Sequence, residues 1–165
     1  MPTFEGTQLS QTIRAKTAEI KKLCERLRED IASHAPSGRW SPKQIISHIS
    51  GPDGIGFIPS IRRILEQDTP RLDMVAEDPF FTERRSGMTM KELLAEFEQE
   101  YLRIADMLTE ASKEQLARKA HIPLFKNTPL GEYPTLATFI GALVEWHTDF
   151  HIKHMKEVLE ALGQA

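Results

Sequence analysis

Apolar residues along this chain recur at intervals of three and four, the spacing that gathers them on one side of an α-helix, and no stretch alternates as a half-buried strand would. Over residues 7–34 the period is carried by Leu9, Ile13, Ile20, Leu27 and Ile31 among charged residues, and Pro36 and Gly38 then stop it. A long first amphipathic helix is expected there. Ser41-Pro42-Lys43-Gln44 has the form of a capping box. The serine hydroxyl accepts the third backbone N–H, the glutamine side chain returns a bond to the cap, and proline stands where no N–H is needed. Trp40 and Ile45 flank it as a hydrophobic staple, so a second helix should start sharply at this point. Gly51, Pro52, Gly54, Gly56 and Pro59 predict a kink or break near Gly51, with helix resuming over 61–67.

Residues 68–88 carry two prolines and no sustained period, and read as a long loop with room for a short turn. A second capping box at Thr89-Met90-Lys91-Glu92, with Met88 and Leu93 as its staple, opens a third helix running to about Glu110. Its core stripe is Leu94, Phe97, Tyr101, Ile104, Ala105 and Leu108. A short helix over 112–118 and a proline-rich connection precede a fourth helix over 135–162, closed by Gly163. Four helical segments without a strand pattern predict an all-α four-helix bundle, forming one domain over residues 1–165 without internal repeats.

Composition narrows the function. At 165 residues, 40% hydrophobic and 27% charged, the chain has enough apolar material for a core of its own. Its uncharged apolar runs fall well short of the ~18 residues of a membrane span, and the N-terminal MPTFEGTQLSQ has no secretory character, which points to the cytoplasm. With a net charge of −3 and basic residues scattered among acidic ones, nothing favours nucleic acid as a partner. Cys24 is the only cysteine, which excludes an internal disulfide and any multi-cysteine metal site. It lies in phase with Ile20, Leu27 and Ile31, the position of an inert buried thiol.

The histidines carry the candidate chemistry. His147, His151 and His154 fall within eight residues of the fourth helix. At about 100° per residue, His151 lies ~40° from His147 and His154 ~20° to the other side. Leu136, Ile140, Leu143 and Val158 share that stripe, so the imidazoles face the core. Buried imidazoles need partners, at a cost of ~1–3 kcal/mol for each unsatisfied group, and a divalent ion would supply one to all of them. Histidines at i and i+4 can share an ion if another helix adds a ligand. His48, between Ile45 and Ile49 in the second helix, is the inward-facing donor. The competing reading is a polar core network without metal. His154 is open to several roles: fourth ligand, support for a ligand, or acid/base group at the mouth.

WSPKQIISHIS and EWHTDFHIKHMKEV resemble the DinB/YfiT-like superfamily, whose pattern is a Trp-started helix with one His, then far downstream His-x₃-His followed three residues later by His or Gln. His48, His147, His151 and His154 occupy those positions in turn. The resemblance implies a four-helix bundle, often dimeric, with a three-histidine site for nickel, zinc or a similar divalent metal and open positions for water or ligand. It also implies small-molecule chemistry. Members include thiol S-transferases that use a low-molecular-weight thiol, bacillithiol or mycothiol, a maleylpyruvate isomerase, and proteins described as metal-dependent hydrolases. Relatives often carry an acidic residue shortly after the first His, where this chain has Gly51-Pro52 and then Asp53.

Three neutral imidazoles leave an ion with its charge and an open position, which suits a catalytic site. Water or thiol activation, and hence hydrolysis or S-transfer, is then open, with His154 as proton carrier. A zinc-protease pattern is absent, since Thr148 follows His147 and both Glu145 and Asp149 lie ~200° from it. Arg71, Arg84 and Arg85 in the long loop are candidates to meet an anionic ligand. Phe139, Leu143, Trp146 and Phe150 form a second apolar row, which reads as further core or as a dimer face. A non-catalytic bundle binding a small ligand or protein partner is the alternative function.

Overall fold

The computed structural model describes residues 1–164. The chain runs α1 (Phe4–Cys24), α2 (Glu29–Ala32), α3 (Pro42–Ile49), α4 (Ile58–Glu66), α5 (Glu83–Ser86), α6 (Met90–Glu110) and α7 (Lys113–Leu116). A 3-10 turn (Pro123–Phe125), α8 (Leu136–Gly141), a π-helix (Ala142–His147) and α9 (Thr148–Ala161) follow, the last three forming one uninterrupted rod. There is no β-strand among the described residues, only isolated bridges at Arg71–His121 and Lys119–Thr135. α1 packs along α6, α3 lies against α6 and α9, and the terminal rod closes a four-helix bundle against α1. No helix among the described residues is long and apolar enough to cross a membrane.

The first helix is shorter than its period suggests. α1 ends at Cys24, and Leu27 and Ile31 stay half-buried on a turn and on α2. The turn places Glu29 where its carboxylate accepts the Met90 N–H at the start of α6 at 2.9 Å and pairs with buried Lys43 at 2.7 Å. A periodic pattern is silent about such a partner sixty residues away. Cys24 is fully buried, and burial pushes its thiol up to about 12, as expected of an inert core residue.

The capping boxes at Ser41 and Thr89 both form, and α7 has a third at Ser112 and Gln115. α3 stops after Ile49 because Gly51 takes φ +80, with the Phe57 ring and the Gly56 backbone 3.1–3.2 Å from where a Cβ would sit. α4 then starts at Ile58 with no side-chain cap of its own. Glu100 of α6 supplies one: its Oε1 accepts the N–H groups of Phe57 at 2.9 Å and Ile58 at 3.2 Å. Gly56 makes room for this, since any Cβ there would collide with the Glu100 carboxylate.

The terminal rod departs from uniform α-helical rotation. Thr148 bonds back to the Leu143 carbonyl, through its N–H and again through its hydroxyl at 2.9 Å, a five-residue step. The wider turn slows the rotation of the chain. Downstream of it the buried positions are Thr148, His151, Ile152, Met155, Val158 and Leu159. The second apolar row divides accordingly: Phe139 and Leu143 are core, whereas Trp146 and Phe150 are 71% and 58% exposed.

Candidate metal centre

His48 reaches the bundle interior from the last turn of α3, His147 ends the π-helix, and His151 follows one turn into α9. Each offers one ring nitrogen, and the three nitrogens lie within 4.8 Å of one another. His48 Nε2 is 2.9 Å from His147 Nε2. Ring centroids are 4.5 Å apart for His48 and His151, and 4.6 Å for His147 and His151.

The surroundings orient these rings. His48 Nδ1–H donates to the Asp78 carbonyl at 2.6 Å, which leaves its Nε2 with a lone pair aimed at the other two imidazoles. The Phe80 ring stacks over His48 at 6.0 Å. Trp40 lies parallel to His151 at 6.3 Å and tilted to His48 at 5.0 Å, so the residue just before the α3 cap roofs the cluster. Phe80 has φ +50 and Glu77 φ +59, left-handed conformations unfavourable to side chains of their size, in the segment that passes over the rings. Tyr101 joins the ligand-bearing elements from below: its hydroxyl donates to the Ile49 carbonyl at 2.7 Å and lies beside the Thr148 hydroxyl.

Burial sets the protonation. Desolvation lowers the His48 imidazole from its ordinary value. Desolvation, then the charge of His48, lowers His147 to about 4, and desolvation with its imidazole neighbours lowers His151 to about 2. All three are neutral at pH 7, the form a metal requires. His147 Nδ1 is buried without a hydrogen-bond partner. Neutral, inward-aimed imidazoles that the protein itself satisfies incompletely fit a divalent metal bound by nitrogen.

His154, the remaining candidate, is half-buried at the edge, with its Nδ1 3.3 Å from His151 Nδ1. The loop arginines, candidates in the sequence to meet an anionic ligand, are engaged within the protein. Arg71 pairs with Asp73 at 2.9 Å, and Arg84 pairs with Asp53 and with Glu96 at 2.8 Å. Buried Arg85 donates to the Ser47 and Gly51 carbonyls at 3.0 and 2.6 Å. Asp53 is thereby committed to Arg84, Arg85 and Thr82 and does not stand in for an acidic group near the imidazoles. Glu145 is exposed and Asp149 pairs with Lys16 at 2.5 Å. The sequence offers no sign of the roles of Asp78 and Phe80, which lie in an aperiodic loop, and Tyr101 reads there only as core.

A helical bundle with a buried three-imidazole cluster able to take a metal ion is thus the class that fold and site define. Residues 12–155 match the model of the DinB superfamily, and the chain belongs to that superfamily. The fold resembles that of YfiT from Bacillus subtilis, described as a probable metal-dependent hydrolase with an unusual four-helix bundle topology. The TM-score is 0.81 at 20% sequence identity, covering 100% of this chain and 92% of that one. No curated protein sequence matches the chain.

Proposed function

We propose that this chain is a metal-dependent enzyme that holds a divalent ion, zinc or nickel, between His48, His147 and His151 and acts on a small molecule by hydrolysis or thiol S-transfer. The observation that carries this reading is the approach of three neutral ring nitrogens to within 4.8 Å of one another inside the bundle. His48, His147 and His151 would hold such an ion with neutral nitrogens, and its uncompensated charge would make a water or low-molecular-weight thiol acidic enough to serve as nucleophile near neutral pH. The Asp78 carbonyl holds His48 in the tautomer whose Nε2 is free to bind. His154 stands between the cluster and solvent, where a half-buried imidazole can carry a proton outward. A description as a metal-dependent hydrolase for a protein of the same fold is consistent with this reading.

A second reading, a polar core network in a non-catalytic binding protein, draws support from the 2.9 Å separation of His48 Nε2 and His147 Nε2, an ordinary hydrogen-bond distance. Elemental analysis of untagged protein separates the two. The enzyme reading expects close to one metal ion per chain, a thermal shift on adding zinc or nickel to stripped protein, and turnover in a screen of hydrolysable esters and of thiols paired with electrophiles. Protein that folds normally without metal and shows no shift on adding it would establish the network instead.

A further inference from the structure

On an unbroken α-helix turning about 100° per residue, Ile152, Met155 and Leu159 would lie ~180°, ~120° and ~160° from Leu143, on the far side of the terminal rod. Yet all four are buried. The wide turn over Ala142–His147 makes this possible by adding one residue, which brings the three downstream positions to within ~80° of Leu143. The same offset acts on the imidazoles. Without it His147 would continue the Leu143 stripe into the core. With it Thr148 takes the buried position, and His147 is left half-buried at the edge. There it lines a cavity of about 580 Å³, in the range of small-molecule sites, whose wall includes Trp146 and Phe150.

Thr148 holds that offset. Its buried hydroxyl donates to the Leu143 carbonyl at 2.9 Å, doubling the five-residue bond made by its own N–H. A buried hydroxyl without an acceptor is costly, and that cost favours the wide turn over the α-helical step the backbone alone prefers. The Tyr101 hydroxyl, which donates to the Ile49 carbonyl at 2.7 Å, lies beside it. Tyr101 thus stands between the residue that follows His48 and the residue that follows His147. We propose that Thr148 is a positioning residue for the metal centre: its hydroxyl locks the wide turn and thereby sets His147 Nε2 2.9 Å from His48 Nε2, at the edge of the cavity. It acts through His147 and is not itself a ligand. What the position serves rests on the metal-dependent reading, but the placement of the ring is a property of the metal-free chain.

Three substitutions of one side chain test it. T148V keeps its shape and removes the hydroxyl, T148A removes the hydroxyl and leaves no branch to clash, and T148S keeps the hydroxyl. Cobalt titrated into stripped, intact protein is expected to bind T148V and T148A about tenfold more weakly than wild type and with an altered electronic spectrum, whereas T148S retains wild-type affinity. Val158→Ala opens the core further along the same helix and reads what lost stability alone does; it should bind cobalt as wild type does. Nitrogen NMR of the imidazoles in metal-free protein gives a second readout. The His147 and His48 signals should shift in T148V and T148A and stay in place in T148S. Wild-type cobalt affinity in T148V and T148A, an equal loss in T148S or V158A, or unmoved ring signals in both hydroxyl-free variants overturns the proposal. Wild type that takes up no cobalt refutes the metal reading instead, and the ring signals then decide the role of Thr148 by themselves.

Discussion

The C-terminal end of α3 lies between two polar clusters that satisfy themselves differently. On one side Asp53, Arg84, Arg85 and Glu96 form a network in which each charge meets an opposite one, with backbone carbonyls taking further donors. Even Arg85 Nε, which lacks a hydrogen bond, faces Asp53 Oδ1 at 3.5 Å. On the other side His48, His147 and His151 are neutral, meet no opposite charge, and leave His147 Nδ1 with no partner. Closed networks of the first kind hold a loop in place. An open one of the second kind asks for a group that the chain does not contain. The arginines are only candidates for an anionic ligand in the sequence; in the fold their charges are consumed internally, and the chemical capacity of the region rests with uncharged rings.

The contrast breaks most sharply at the rings. His147→Ala or His151→Ala should reduce metal content from about one ion per chain to background and abolish turnover while far-UV circular dichroism stays unchanged. Retained metal in both variants would contradict the assignment.

Arg85→Ala tests the closed network. It leaves the Ser47 and Gly51 carbonyls without their donor in a buried setting, and about 3 kcal/mol of unfolding free energy should be lost in urea titrations. A loss no larger than that of a surface substitution would mean that the network does little to hold the loop.

Acid should act on the same network. The Arg84 guanidinium, with Thr82 and Arg85, holds the Asp53 carboxyl down at about 2 against an ordinary 3.8. Its contribution is therefore complete above pH 3.8 and disappears as pH falls through about 2. Unfolding followed between these values should show less acid dependence in Asp53→Asn than in wild type. Equal slopes would remove Asp53 from the account.

The smallest effect is expected at the bridge between the two ligand-bearing elements. Tyr101→Phe keeps the ring but removes the hydroxyl that donates to the Ile49 carbonyl, and should cost about 1 kcal/mol in stability. If the hydroxyl also sets the spacing of His48 and His147, the electronic spectrum of cobalt-substituted protein should change; an identical spectrum would reduce Tyr101 to a packing role.

Much of this architecture is legible along the chain because it depends on local chemistry. The boxes at Ser41 and Thr89 mark helix starts to the residue, since the bonds that form them span three positions. Glycine and proline around Gly51 announce the break, and the histidine spacing announces an inward-facing pair. Less was legible where the partner is remote. The first helix stops early so that Glu29 can meet Met90 and Lys43, and α4 borrows its cap from Glu100. The π-helix displaces Trp146 and Phe150 from the core row to the cavity wall, a shift that uniform rotation at 100° per residue does not contain.

By itself the sequence determined an all-helical bundle and the set of imidazoles that turn inward, because periodicity and capping operate within a few residues. Only the tertiary structure decided that His48 meets His147 and His151, that the Asp78 carbonyl fixes its tautomer, and that the nearby arginines are already occupied. Those outcomes depend on contacts between segments far apart in the chain, whose distances no local pattern encodes.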